Sequence, residues 1–258
     1  MGRLDDRVVL VSGGTQGVGL AIARAVLADG GRVVVTGRRA EVGEQAAKDL
    51  SAAGGDARFV ACDVADVDAC RAAVEATVAA HGRIDGLVNA AGFTERGSLL
   101  DTSPDMFEQH VAVNLRGPFF LMQAAVQDMV SRGEPGSVVN IITMSAHGGQ
   151  PYLAPYAATK AALVGLTRNA AYAHRFDRVR VNGVNIGWTD SDGEDVIQRR
   201  FHDAGDDWRE RAGERLPAGR LASPEDVTGL VTLLQSDASG VVTGSVIDWD
   251  QTIPGTSD

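Results

Sequence analysis

Apolar residues along the chain fall into two alternating patterns. Short runs such as Val8-Val9-Leu10-Val11 and Val33-Val34-Val35 carry no polar position, and between them lie longer segments whose apolar residues return every three or four places. A run of this length is too short for a buried helix and fits a strand covered on both faces. The pattern predicts strands over residues 8–11, 32–36, 58–62, 84–88, 137–142, 178–184 and 246–249. Helices are predicted over residues 20–29, 40–52, 66–80 and 103 to about 131, and again from Pro155 and from Ser223. In the third of these Val67, Cys70, Val74 and Val78 stand at helical spacing. Strand and helix alternate, so the expected fold is α/β: one doubly wound parallel sheet with helices on both faces. No linker, repeat or low-complexity stretch divides residues 1–258, and a single domain is expected.

Two segments break the pattern. Asn114-Leu115-Arg116-Gly117-Pro118 puts three poor helix formers inside a helical stretch, a local conflict that marks a functional or strained spot. Residues 188–218 are rich in charges of both signs and poor in periodic apolar positions. They fit either a mobile segment covering a substrate or a plain solvated helix pair.

Candidate chemistry gathers at the strand ends, where ligands bind in open parallel sheets. The first strand runs through Gly13, Thr15, Gln16, Gly17, Val18 and Gly19 into a helix. Glycines allow a tight turn and close backbone approach, and the helix N-terminus offers free N–H groups to a phosphate, so a Rossmann-like dinucleotide site is predicted. After the second strand the acid that would hold the ribose hydroxyls of NAD is absent, and Arg38 and Arg39 follow. They tilt the cofactor toward NADP, with NAD possible. The fourth strand runs into Asn89-Ala90-Ala91-Gly92, small residues beside which a cofactor's sugar or phosphate fits, and the fifth ends in Thr143-Met144-Ser145. Tyr156 and Lys160 lie four residues apart in a helical run, on one face. A free tyrosine ionises near about pH 10, and a fixed positive charge beside it is expected to lower that value and make a proton-transfer pair.

Composition narrows the partners. The 258 residues are 44% hydrophobic and 22% charged, with a net charge of -10. An acidic surface repels nucleic acid and anionic membranes, and neither is expected as a partner. Cys62 and Cys70 have neither CxxC spacing nor the number of a disulfide framework, and both are expected to be reduced. Residues 1–7 lack the apolar run of a secretory signal, and no stretch reaches the roughly 20 apolar residues of a membrane span. A cytoplasmic location is expected, and no metal site.

Taken together, the glycine turn, Asp63 after the third strand, the Asn89-Ala90-Ala91-Gly92 motif, Asn114, and Tyr156 with Lys160 resemble the short-chain dehydrogenase/reductase family over nearly the whole chain. The resemblance implies an NAD(P)-dependent oxidoreductase that interconverts a carbonyl and a secondary alcohol. It implies that the glycine turn holds the pyrophosphate, that Asp63 and Val64 meet the adenine, and that Asn89 to Gly92 line the cofactor cleft. Tyr156 would be the general acid/base, and Lys160 would lower its pKa and bind the nicotinamide ribose. Asn114 would support a water-linked proton relay, while Gly187 and Thr189 would touch the nicotinamide side. A homo-oligomer, dimer or tetramer, is also implied.

Four positions depart from the family pattern. Counting back thirteen residues from Tyr156 gives Thr143 where the family carries a serine, with Ser145 two residues on as a substitute or substrate contact. Ile186-Gly187 replaces the usual Pro-Gly, Gln16 stands where NADP-preferring relatives often carry a base, and Asp248-Trp249-Asp250-Gln251 replaces a glycine-rich ending. Substrate contacts are expected from residues 93–100, 145–153 and 188–218, with Ser145, His147, Gln150 and Trp188 as candidates. The charge of the last segment favours a polar, hydroxylated alcohol or ketone over a steroid-like one. Two other classes stay open. One is an NAD(P)-binding regulator without turnover, which has no need of a proton donor. The other is a methyltransferase, which leaves Tyr156 and Lys160 unexplained.

Overall fold

The computed structural model describes residues 2–254; Met1 and residues 255–258, included in the single-domain expectation, lie outside the described residues. Among the described residues seven strands form one sheet: β1 Val8–Ser12, β2 Arg32–Gly37, β3 Ala57–Ala61, β4 Gly86–Asn89, β5 Gly136–Thr143, β6 Val179–Ile186 and β7 Val246–Trp249. Every pairing is parallel, in the order β3-β2-β1-β4-β5-β6-β7. The chain leaves β1 toward β2 on one side and resumes with β4 on the other, so a crevice opens above β1 and β4.

The wholly apolar runs serve two cores at once, because successive strand residues face opposite sides. Leu10, Leu87, Val138 and Val181 pack with α3 (Val67–His81) and α5 (Gly117–Arg132). Val9, Val11, Val33 and Val139 pack with α1 (Gly17–Ala28) and α9 (Thr228–Gln235). A polar residue at any of these strand positions would be buried in one core or the other. The remaining helices are α2 Ala40–Ala52, α4 Pro104–Val111, α6 Ala154–Ala173, α7 Asp192–Phe201 and α8 Trp208–Gly213. Both cysteines are buried and free.

Element ends shift by up to three residues from the sequence pattern, with β4 beginning at Gly86 rather than at residue 84 and α1 at Gly17 rather than at residue 20. The single helix expected over residues 103 to about 131 is two, joined by a π-helical turn over Ala112–Arg116 that contains Asn114. Strand β6 starts one residue late, because Arg178 adopts a left-handed backbone with φ 61°, and continues through Ile186. Residues 188–218 contain two helices, and Trp208 and Ala212 close a small core of their own with Leu221. No helix among the described residues is long and apolar enough to cross a membrane.

Candidate active site

All the strand-end motifs lie along one edge of the sheet, since parallel strands deliver their C-termini to the same side. Beyond β1, Gly17 begins α1 with φ +53°, a conformation that a side chain would strain, and the space a Cβ would take is open except for Ser191 Cβ at 3.8 Å. Gly19 packs the helix onto the turn, for its Cβ would fall 2.2 Å from the Gly13 carbonyl oxygen. Thr15 and Val18 complete this turn, and Thr15 crowds the β2 end at Gly37. The open side of Gly17 and the unpaired N–H groups of a helix start fit a dinucleotide's phosphates.

Past β2, exposed Arg38 and Arg39 flank this turn, and Arg39 Nη2 donates to Gln16 Oε1. Gln16 therefore holds one of the two arginines rather than taking a base's place alone. Asp63 is exposed past β3 and accepts from Ala65 N at 3.0 Å, with Val64 buried beside it. Asn89, 2% exposed, donates to Asn140 Oδ1 at 2.8 Å, and Asn140 donates to Thr167 Oγ1 at 2.9 Å. The Asn89 Oδ1 atom is buried without a hydrogen-bond partner. A Cβ at Gly92 would meet only Asn114 Oδ1 at 3.9 Å, so this motif leaves room, and the lone acceptor fits a ligand carrying hydroxyl donors.

The π-helical turn aims Asn114 at the same loop. Its Oδ1 accepts from Phe93 N at 2.9 Å and its Nδ2 donates to Phe93 O at 2.9 Å, so one amide closes both polar groups of one peptide residue. His110, one turn earlier, is fully buried; its Nδ1 accepts from Asn114 Nδ2 at 3.2 Å and its Nε2 donates to Glu95 O at 3.1 Å. Burial pushes the imidazole below its usual range, which keeps it neutral in this arrangement. The ring stands 6.3 Å from that of Tyr156. His110 and Thr159, which Asn114 also reaches at 3.4 Å, were not among the sequence candidates. The spacing of four between His110 and Asn114 on one helix was the available signal.

Helix α6 carries Tyr156 and Lys160 on one face, as their spacing predicts. Lys160 is 4% exposed, its ammonium donates to Ile141 O at 2.9 Å, and it lies 5.9 Å from the centre of the Tyr156 ring. The expected lowering of the tyrosine's pKa does not occur in the protein alone. Burial pushes the Tyr156 phenol up to about 12; a hydrogen bond with Thr143 and the charge of Arg96 pull it down, while Glu194 raises it. Burial likewise brings Lys160 down to about 8. Lys160 is buried and Tyr156 half-buried, and the surroundings of each disfavour its charge.

Hydroxyls form a chain away from the phenol. Thr143 lies close enough to Tyr156 to favour its phenolate and donates from Oγ1 to Ser145 Oγ at 3.3 Å, and Ser145 donates to Gln150 Oε1 at 2.6 Å. Thr143 is thus the hydroxyl beside the tyrosine and Ser145 is one step removed. His147 is drawn elsewhere: its Nε2 meets Asp248 Oδ1 on β7 at 3.0 Å, where Asn185 also donates at 2.7 Å. Past β6, Asp250 fills the space over Gly187, whose Cβ would fall 1.8 Å from Asp250 Oδ1, and Thr189 donates to the Gly187 carbonyl at 3.0 Å. Trp188 stacks on Trp208, centres 6.1 Å apart, and donates to Glu194 Oε1 at 2.8 Å. Arg96 and Glu194 are further residues of the cleft that no motif flagged, although both fall in the segments expected to set specificity.

Comparison with known proteins agrees with this architecture. Residues 13–251 match a family model described as enoyl-(acyl carrier protein) reductase. The chain is 35% identical to L-rhamnose 1-dehydrogenase (NAD(P)(+)) of Azotobacter vinelandii over 248 residues, 94% of each chain. It is 34% identical to an NADP-dependent (R)-specific alcohol dehydrogenase of Lentilactobacillus kefiri over 248 residues, again 94% of each. Among solved structures, a variant of actinorhodin polyketide ketoreductase with NADPH superposes with a TM-score of 0.92 at 30% identity, covering 97% of this chain and 98% of that one. The chain belongs to the short-chain dehydrogenase/reductase family of NAD(P)-dependent oxidoreductases.

Proposed function

We propose that the protein interconverts a carbonyl and a secondary alcohol with NADP as preferred cofactor and NAD as a possible one, using Tyr156 as general acid/base. The observation that carries this reading is Tyr156 and Lys160 on one face of α6, with the ammonium 5.9 Å from the centre of the phenol ring and the Thr143 hydroxyl close enough to favour the phenolate. The relatives named for NAD(P) and NADP dependence support the cofactor, and so do the open turn at Gly17, the lone acceptor of Asn89, and Arg38 with Arg39. Gly13 to Gly19 would hold the pyrophosphate, Asp63 and Val64 the adenine, Asn89 to Gly92 the adjoining sugar, and Gly187 and Thr189 the nicotinamide side. When bound, the nicotinamide supplies or accepts the hydride.

In reduction the carbonyl carbon gains the hydride and the carbonyl oxygen takes the Tyr156 proton, which solvent restores. A neutral phenol at pH 7 is ready to act as that acid. Thr143 donates to the oxygen as negative charge develops, with Ser145 behind it. Asn114 fixes the loop at Phe93 on one side of the reacting centre and supports the proton path. In oxidation the same atoms move in reverse.

This reading includes a cytoplasmic homo-oligomer. An apolar groove between α5 and α6, lined by Phe119, Met122, Val126, Val130, Leu166 and Ala170, supports a second copy as its cover. Light scattering should then give a molar mass two or four times 27.0 kDa. The function itself is tested by initial rates on a panel of alcohols and ketones, with NADP and NAD measured separately. Tyr156→Phe is expected to lower turnover by about 10²- to 10⁴-fold while binding the cofactor as before; full activity in that variant would sink the mechanism.

A further inference from the structure

The loop after β4 and helix α7 face each other beside Tyr156, and they are joined by charges. Gly97 pairs with the segment before the tyrosine, its N–H donating to Tyr152 O at 2.9 Å and its carbonyl accepting from Ala154 N at 3.0 Å. This places the preceding residue, Arg96, over the Tyr152 ring, 5.7 Å from its centre. From α7, Glu194 comes within 3.8 Å of Arg96 Nη2, and Arg200 pairs with Glu95 at 2.9 Å. The Arg96 and Glu194 side chains are only 12% and 18% exposed. Their charges act on the Tyr156 phenol in opposite directions.

The hydrogen bonding of this pair is incomplete. Arg96 donates from Nη1 to Thr94 O at 3.2 Å and from Nε to His202 Nε2 at 3.2 Å. Its Nη2 faces Glu194 Oε1 at a distance too long for a hydrogen bond. Among the described residues the donors to Glu194 Oε1 are Trp188 Nε1 at 2.8 Å and Gln198 Nε2 at 2.7 Å. The 3.8 Å separation is too short for an oxygen to sit between the two, but a hydroxyl oxygen lying beside the pair, about 2.8 Å from each atom, can accept from Nη2 and donate to the carboxylate.

We propose that Arg96 and Glu194 together read a hydroxyl group of the substrate next to the reacting carbon, so that the protein acts on neutral polyols and their carbonyl forms. This rests on the oxidoreductase reading above. The two cations and two carboxylates of the rim balance, so an anionic substrate gains nothing from Arg96 that Glu194 does not take away. An apolar substrate would exclude water from both charges while satisfying neither. A polyol offers a donor and an acceptor on one oxygen, and its carbon face can lie on the indole of Trp188, which is 40% exposed.

The full chain is assayed with NADP on 2-butanol, 2,3-butanediol, erythritol and 3-hydroxybutyrate, as wild type, Arg96→Met and Glu194→Gln. The expected result is that wild type prefers the polyols, and that either substitution lowers kcat/KM on erythritol about 10- to 100-fold more than on 2-butanol, the worth of a hydrogen bond to a charged group. Erythritol should also change the tryptophan fluorescence of the NADP-loaded protein, and less so in Arg96→Met. A wild-type preference for 2-butanol, an equal loss on both alcohols, or a preference for 3-hydroxybutyrate that Glu194→Gln strengthens would each overturn the pair's role and leave the oxidoreductase reading standing. No turnover of any panel member, with erythritol still changing the fluorescence through Arg96, would refute the oxidoreductase reading and keep the hydroxyl site; neither signal would remove both.

Discussion

The ammonium of Lys160 donates to the carbonyl oxygen of Ile141 at 2.9 Å inside the protein, a charge anchored to strand β5 and out of water. Its pKa falls from 10.5 to about 8, so the folded state disfavours the proton that the unfolded chain keeps. Between those two values the unfolded chain binds more protons, and wild-type stability therefore rises with pH across that window. Lys160→Met is expected to lose turnover while gaining up to about 3 kcal/mol at pH 7, with the gain shrinking toward zero by pH 10.5. Denaturant melts of both proteins at several pH values check this. A variant less stable than wild type at pH 7 would mean that the bond to Ile141 outweighs the cost of burial.

Tyr156 titrates above its ordinary value in the protein alone, because burial outweighs the help of Thr143 and Arg96. Of the three tyrosines, its phenolate signal at the 295 nm ultraviolet band is expected to be missing up to pH 10. The difference between wild type and Tyr156→Phe isolates it. Glu194→Gln removes a raising charge and should move the ionisation down, whereas Arg96→Met should move it up. An ionisation below pH 9 in the cofactor-free protein would contradict the burial effect.

The fold was legible because each strand of a doubly wound sheet must be apolar on both sides, and Val8 to Val11 or Val33 to Val35 have no other use. Tyr156 and Lys160 were legible through fixed spacing on a helix, and Asn114 through the conflict with Gly117 and Pro118 that became a π-helical turn. The tyrosine's pKa was not, since spacing reports a nearby charge but not how dry its surroundings are. Arg96 and Glu194 were also hidden, because 98 positions separate them and only the packing of α7 over the loop brings them within 3.8 Å. The partner of His147 was hidden as well, because Asp248 reaches it from β7, far along the chain.

His110 and Asn114 form a unit with a fixed proton placement. Protonating His110 Nδ1 would set two donors against each other, because Asn114 cannot turn without breaking both bonds to Phe93. The folded pKa lies below 6.5, so stability is complete above that pH and falls as pH drops from it, where the unfolded chain takes up the proton first. His110→Gln should flatten this part of the stability curve. It should also lower kcat by loosening Asn114, while KM for NADP changes little. An unchanged acid limb of the curve would show that His81 or His202, both also pushed down by burial, carries the effect instead.

Arg38 and Arg39 stand exposed beyond β2, and Arg39 is held by Gln16. A phosphate on the adenosine ribose would meet a guanidinium already positioned by that bond, and charge-assisted bonds of this kind are strong but weaken with salt. Arg38→Ala with Arg39→Ala is expected to raise the Kd of NADP by about 10- to 100-fold and that of NAD by less than about 3-fold. The NADP affinity of wild type should fall with added salt more steeply than that of the variant. Gln16→Ala should cost NADP affinity in part, since it frees Arg39 without removing it. Fluorescence titration with both cofactors at low and high ionic strength measures all four effects. Equal loss of NAD and NADP affinity in the double variant would mean that the arginines contact the part common to both, and the NADP preference would then have to come from elsewhere in the cleft.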